Sequence, residues 1–267
     1  MIRPIALLTD FNSQDIFVGV LKGVILSINP WASITDLCHG VPPQDIRTGA
    51  FNLYCAHAYF PRKTIFCTVV DPGVGSERRA IALETERYFF VGPDNGVLFP
   101  AAQADGIRRA VVLDRPEFFL DKVSSTFHGR DIFSPIAAHI SLSRDILELG
   151  SKLPVEELEA LTFPKPETGE YGIQLTVLHQ DTYGNLTLNL DQETFEAHCG
   201  DGFVLSAGLN TITDVYPAYA HAPAGRPFLL EASNGFMEIA VKNQSAAQAL
   251  NLGTGSSLIL KTSSLLP

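Results

Sequence analysis

The first seventy residues alternate between two hydrophobic periods, and few folds accept that alternation. Ile5 to Thr9 is a short apolar run that ends at Asp10. Asp15 to Ile28 carries Phe17, Leu21, Val24, Ile25 and Ile28 at helical spacing, and Pro30 ends it. Ser33 to Leu37 reads as a second strand. Gln44 to Phe60 reads as a second helix, with Ile46, Ala50, Leu53, Tyr54 and Ala58 on one side and Pro61 as its stop. Thr64 to Val70 is a third apolar, β-branched run. Strand, helix, strand, helix, strand at this spacing predicts βαβ units, a parallel sheet and an α/β domain. Gly19 and Gly23, four apart on the first helix, are expected to let another backbone come close.

The third run ends on a carboxylate. Asp71-Pro72-Gly73-Val74-Gly75 turns the chain sharply, and Glu77, Arg78 and Arg79 follow. An open α/β sheet presents reactive side chains in this way, at the carboxyl edge of its strands. The residue types alone allow two readings: a tight turn capped by Asp71 with a solvated charge run behind it, or a reactive carboxylate beside a guanidinium. The loop lacks the Lys-Ser/Thr ending of a Walker phosphate loop. A second dense stretch, Ser124-Ser125-Thr126-Phe127-His128-Gly129-Arg130-Asp131, places an imidazole just before a helix expected over Arg130 to Leu142. Asp10, where the first strand gives way to the first helix, suits either a turn or the two hydroxyls of a ribose. No GxGxxG is present, which disfavours a nicotinamide dinucleotide.

Further along, Arg79 to Thr85 and Arg87 to Gly92 read as strands, Pro93-Asp94-Asn95-Gly96 as a strong turn, Val97 to Ala104 as a helix and Ala110 to Leu113 as a strand. Two prolines and two glycines between Phe163 and Gly172 mark a linker. The expected organisation is an α/β domain over residues 1–163, a linker over 164–172 and a second domain over 173–267. In the second part helical periodicity fades. Ile173 to Gln180, Leu186 to Leu190, Phe203 to Ser206, Phe228 to Glu231, Phe236 to Val241 and Ser257 to Lys261 read as short strands, and Ser245 to Leu250 as a helix. These predict a small β-barrel or sandwich. Asp181-Thr182-Tyr183-Gly184-Asn185 and Ser233-Asn234-Gly235 are polar turns in that part, each suited to an ordinary Asx turn or to a small-molecule site.

Composition narrows the function. At 46% hydrophobic and 18% charged residues, the chain can bury a full core. A net charge of −10 argues against nucleic acid, which needs a basic surface. The four cysteines, Cys38, Cys55, Cys67 and Cys199, show no ligand spacing and read as buried thiols in a reducing compartment. There is no His-x-His or His-Glu-x-x-His, and a metal site is not expected. No signal peptide or apolar run of about 20 residues is apparent, so a cytoplasmic protein without a membrane segment is expected.

Taken in order, Thr9-Asp10-Phe11, Lys22-Gly23-Val24-Ile25, Val69 to Gly75, Pro93 to Gly96, Thr126 to Asp131, Tyr183-Gly184-Asn185 and Ser233-Asn234-Gly235 resemble the S-adenosyl-L-methionine hydroxide adenosyltransferases over essentially the whole chain. These adenosine-forming hydrolases are relatives of the fluorinase and chlorinase. The resemblance implies a Rossmann-like N-terminal α/β domain, a smaller C-terminal β-barrel and a homotrimer with active sites between subunits. It implies cleavage of S-adenosyl-L-methionine to adenosine and L-methionine by water or hydroxide at ribose C5′, with no metal or organic cofactor. The family's catalytic triad falls on Asp71, Arg78 and His128. Its substrate contacts fall on Asp10 for the ribose, on Asn185, Ser233, Glu238 and Val241 for the nucleoside, on Asp181 near the methionine amino group and on Tyr183 near the adenine.

Three positions depart from the pattern. Asn12 stands where many members have Gly, so the first loop is expected to take another shape. Asn234 follows Ser233 where the halogenases carry Arg, and Thr187 replaces a halogenase Trp. A halogenase is the nearest alternative. Its halide pocket of Tyr, Thr and Ser would fall on Asp71, Val74 and Gly129, and the stretch from Gly75 to Tyr88 is too short for the fluorinase insertion. A protein that binds adenosine or S-adenosyl-L-methionine without turnover is the alternative from another class.

Overall fold

All five residues of the first strand, β1 (Ile5–Thr9), are buried, as a strand covered on both faces must be. The computed structural model describes residues 3–199 and 202–262. The chain divides into two compact units after Thr162.

In the first unit β1 is followed by α1 (Phe17–Ile28), β2 (Ile34–Cys38), α2 (Ile46–Ala56), β3 (Ile65–Val69), β4 (Ala80–Thr85), β5 (Phe89–Pro93), α3 (Phe99–Ala104) and β6 (Ile107–Val112). A turn of π-helix (Gly129–Phe133), α4 (Ser134–Ser141) and β7 (Ser151–Lys152) complete it. The sheet order is β2-β1-β3-β5-β4-β6-β7. The pairs β1–β2, β1–β3 and β3–β5 are parallel. The pairs β4–β5, β4–β6 and β6–β7 are antiparallel. The sheet is therefore mixed: β1, β2 and β3 are parallel because α1 and α2 carry the chain back across it, β5 runs parallel to β3 after the intervening β4, and β4 turns directly into β5 as an antiparallel hairpin, with β6 and β7 antiparallel beyond it.

Alternate residues of each strand feed two apolar layers. Ile5, Leu7, Cys67 and Val69 pack against Leu21 and Ile25 of α1 and against Ile136 and Ile140 of α4. Ala6, Leu8, Phe66 and Val70 pack against Leu53 of α2 and Ala101 of α3. The close approach expected of Gly19 and Gly23 is not seen; a Cβ at either position would meet nothing within 4 Å.

The second unit contains β8 (Glu167–Gly169), β9 (Gly172–Gln180), β10 (Leu186–Asp191), α5 (Gln192–Cys199), β11 (Phe203–Ala207), β12 (Asn210–Ile212), β13 (Pro227–Glu231), β14 (Phe236–Val241), α6 (Ala246–Leu250) and β15 (Ser257–Thr262). Its sheet runs β12-β11-β15-β9-β10-β14-β13, with β8 on β9. The segment after β12 exchanges hydrogen bonds with β13, through Leu229 N to Asp214 O and Tyr216 N to Leu229 O. Those bonds bring the sheet close to a barrel. The fold is thus mixed α/β with two sheets, one nearly barrel-shaped. The end of the expected linker is a hairpin, because Glu167 and Thr168 pair with Gln174 and Ile173. Cys67 and Cys199 are buried, whereas Cys38 and Cys55 are partly exposed. Among the described residues no helix is long and apolar enough to cross a membrane.

Candidate active site

Thr9 and Val69 are register partners on the parallel strands β1 and β3. The chain leaves both strands at the same edge, so Asp10 and Asp71 emerge side by side. That is where an open α/β sheet places its ligands.

The turn after β3 is built for Asp71 and Arg78 to face each other. Val74 N donates to Asp71 O, Ser76 N donates to Gly73 O, and Ser76 Oγ donates to the same carbonyl at 2.6 Å. Gly75 has φ +78°, and a Cβ there would lie 2.2 Å from the carbonyl oxygen of Ser125. Glycine thus lets this turn press against the segment that carries His128. Arg78 Nε donates to both Asp71 oxygens at 3.0 and 3.1 Å, and Nη2 donates to Oδ2 at 2.5 Å. Their side chains are only 10% and 5% exposed. Removing one partner of so buried a pair strands a charge, at a cost of about 3–5 kcal/mol.

The same Arg78 Nη2 lies 2.7 Å from His128 Nδ1. A guanidinium has donors and no acceptor, so Nδ1 must offer a lone pair. His128 is therefore a neutral imidazole with its proton on Nε2. Burial pushes its pKa down and the Arg78 charge acts in the same sense, against a smaller upward pull from Asp71 and Asp131. His128 is set by the turn before it. Asp131, fully buried, accepts from the N–H and the hydroxyl of Ser124, both at 2.8 Å, and Ser124 Oγ accepts from Phe127 N. The helix expected from Arg130 begins as π-helix, with Ser134 N donating to Gly129 O, and such turns concentrate at functional sites.

These groups open into a cleft of about 480 Å³ lined by Asp10, Phe11, Asn12, Gln44, Asp71, Val74, Phe127 and His128. Phe127 packs edge to face on Phe11 and Phe17, which are tilted against each other, with all three centroids 5.4–5.7 Å apart. Gln44 N donates to Asp10 Oδ2 at 2.8 Å, which fixes the carboxylate. Asn12 has φ +61°, a conformation Gly adopts freely and Asn tolerates. The aromatic wall was not anticipated, although Phe11 and Phe127 lie inside the quoted motifs.

The second unit has its own groove, of about 690 Å³, lined by Asp181, Tyr183, Asn185, Tyr219, Val241, Lys242 and Ser245 among others. Asp181 Oδ1 accepts from the N–H groups of Tyr183 and Asn185, and Oδ2 accepts from Asn185 Nδ2. Asp181 is thus largely engaged within its own turn. Tyr183 is 80% exposed. Glu238 is buried and does not line the groove; it is reached through Tyr219, whose hydroxyl donates to Glu238 Oε1 at 2.7 Å. Burial raises the pKa of both. Ser233 sits in the β13–β14 turn, outside this groove. Tyr219 escaped the sequence reading because no motif surrounds it. Among the described residues no group of three or more His, Cys, Asp or Glu side chains is placed to hold a metal ion.

Residues 5–150 match the SAM hydroxide adenosyltransferase N-terminal domain, and residues 175–259 match the SAM hydroxide adenosyltransferase C-terminal domain. The chain belongs to the SAM hydroxide adenosyltransferase family. It is 38% identical over 260 residues to a Thermus thermophilus protein named (R)-S-adenosyl-L-methionine hydrolase, covering 95% of this chain and 97% of that one. It is 25% identical over 283 residues to a fluorinase from an Actinoplanes species, covering 94% and 95%. A crystal structure of a conserved protein from Thermotoga maritima superposes with a TM-score of 0.89 at 35% identity, over 96% of this chain and 99% of that one.

Proposed function

We propose that this member of the SAM hydroxide adenosyltransferase family cleaves S-adenosyl-L-methionine with water, giving adenosine and L-methionine. The observation that carries the reading is Arg78 joining Asp71 and His128, which line a cleft together with Asp10. Relatives named (R)-S-adenosyl-L-methionine hydrolase support it, and their name extends the proposed substrate to the (R)-sulfonium epimer.

The sulfonium is a good leaving group, so the protein needs an in-line water and a place for its proton. Holding that water against C5′ supplies much of the rate through effective molarity. The water oxygen attacks C5′ as the C5′–S bond breaks, in an SN2 displacement. The bonding pair leaves with sulfur, giving the thioether of L-methionine. Asp71 takes the water's proton on a lone pair that Arg78 leaves unused. Arg78 favours the developing hydroxide, and His128, with Nδ1 held by Arg78, directs its Nε2–H towards the nucleophile. Asp10 receives the ribose hydroxyls, and the Phe11–Phe127 wall keeps the site dry.

Asp181, Tyr183, Asn185, Ser233, Glu238 and Val241 are assigned to the adenine and methionine ends, supplied by the second unit of a neighbouring subunit in a homotrimer. The parallel half of the first sheet is read as Rossmann-like, and the protein as cytoplasmic. A halogenase is disfavoured because the Asp71 carboxylate would repel a halide.

The test is product analysis with both sulfonium epimers, with chloride present and in isotopically labelled water. Adenosine carrying the label at its 5′ oxygen is expected; 5′-chloro-5′-deoxyadenosine would overturn the reading. Asp71→Asn is expected to lower turnover by roughly 10²–10⁴-fold while adenosine still raises the melting temperature. Undiminished turnover in that variant would remove Asp71 from the mechanism.

A further inference from the structure

The turn Pro93-Asp94-Asn95-Gly96 touches neither cleft-lining carboxylate, yet it grips the chain on both sides of the Asp71–Arg78 pair. Strands β3 and β5 pair up to Cys67 and Val91. Past that rung Asn95 takes over: its Nδ2 donates to the carbonyl of Val70, the residue before Asp71, at 2.9 Å. Asn95 Oδ1 accepts from Val97 N at 3.1 Å, which fixes which end of the amide faces Val70. Asp94, 4% exposed, does the same work at the other foot of the turn. Its Oδ2 accepts from Nε of Arg79, the residue after Arg78, at 2.7 Å, and its N–H donates to Arg79 O at 2.9 Å. Asp94 Oδ1 accepts from Glu159 N, which anchors the brace to the rest of the unit. Gly96 has φ +92°, and a Cβ there would lie 2.7 Å from Leu161 Cβ, so the turn has one available course.

We infer that Asn95 is a positioning residue for the reaction: with Asp94 it sets the separation of the two backbone feet from which Asp71 and Arg78 face each other. The inference rests on the hydrolase reading above. A misplacement of such groups by about 1 Å can cost on the order of 10²-fold in rate without weakening substrate binding. Asn95→Asp is the sharpest probe. It is isosteric and keeps the acceptor for Val97 N, but it turns an oxygen towards the Val70 carbonyl.

The experiment compares wild type, Asn95→Asp and Asn95→Ala, with kcat and KM for S-adenosyl-L-methionine and the thermal shift caused by adenosine. Both variants are expected to lose roughly 10–100-fold in kcat, with KM and the adenosine shift unchanged. A merely structural turn would lower the melting temperature and leave kcat per folded molecule intact, and that result overturns the inference. So does failure of both variants to fold, or a loss of adenosine binding equal to the loss of kcat. A wild-type protein that releases no adenosine overturns the hydrolase reading and this inference with it. An active wild type beside undiminished variants overturns this inference alone.

Discussion

His128 has one hydrogen-bonding arrangement at neutral pH, and acid disrupts it. Protonating Nδ1 would set a cation against the donor-only guanidinium of Arg78, 2.7 Å away. The groups that face the ring are Arg78, Asp71, Asp131 and the Ser124 backbone carbonyl, and burial and Arg78 outweigh the rest, leaving a pKa below the ordinary imidazole value of about 6.5. The unfolded chain takes up that proton first, so His128 costs stability progressively as pH falls below about 6.5. Activity follows the same group. The acid limb of kcat/KM is expected to have its midpoint below about 6.5. In His128→Asn that limb should be lost, with kcat lowered roughly tenfold. A midpoint above the imidazole value, or an unchanged limb in the variant, would contradict this tautomer. At this scale the sequence exposes Asp71, Arg78 and His128, because each sits in a run of unusual residue types at a strand end or helix start. It does not expose the Asn95 brace or the Tyr219–Glu238 pair, because both depend on partners 19 to 25 residues away that no local pattern marks.

Among the elements, the turn that carries Gly75 and the segment 124–128 that leads into the π-helix are the two pieces pressed together to bring Asp71, Arg78 and His128 into contact. Gly75→Ala is expected to cost stability twice, through its φ of +78° and through a Cβ only 2.2 Å from Ser125 O. Gly225→Ala is the matched control. It has φ +75° but no atom within 4 Å of a new Cβ. Its penalty should be the conformational one alone, about 1–2 kcal/mol, with full activity. Gly75→Ala should lose more stability and most of its kcat; equal losses in the two variants would mean that the loops do not need to touch. Periodicity locates β1, α1, β2, α2 and β3 to within two or three residues at most ends, because β1, β3 and the two helices bury apolar residues at regular spacing and β2 falls in the short interval between those helices. It finds β4, β5 and part of β6 as strands, but neither β7 nor their antiparallel pairing, because strand direction depends on which partner lies alongside and not on the period. It also misses α5, whose sequence Gln192–Cys199 carries only two buried residues, Phe195 and Cys199.

For the molecule as a whole, the motif order along the chain was enough to indicate the family, since the two matched domains span residues 5–150 and 175–259 in sequence. Subunit arrangement is not written in periodicity, because faces that bind a second copy look like any other partly apolar surface. The proposed trimer with shared sites makes a distinctive prediction. Asp71→Asn subunits and Asn185→Ala subunits, each nearly inactive alone, should regain roughly a quarter of wild-type activity when unfolded together and reassembled, since half of each contributing surface is intact. Light scattering should give three chains per particle. A monomer of full activity, or no recovery on mixing, would place the whole reaction within one chain.

The rung that joins Thr9 to Val69 has an outcome for how such a protein can change over time. Adding or deleting one residue within either strand would slide Asp10 past Asp71 by about 3.3 Å, beyond the reach of a hydrogen bond. Insertions are therefore tolerable only outside these two ladders. The spacing between these two carboxylates is inherited with the sheet itself, whatever the surrounding loops become.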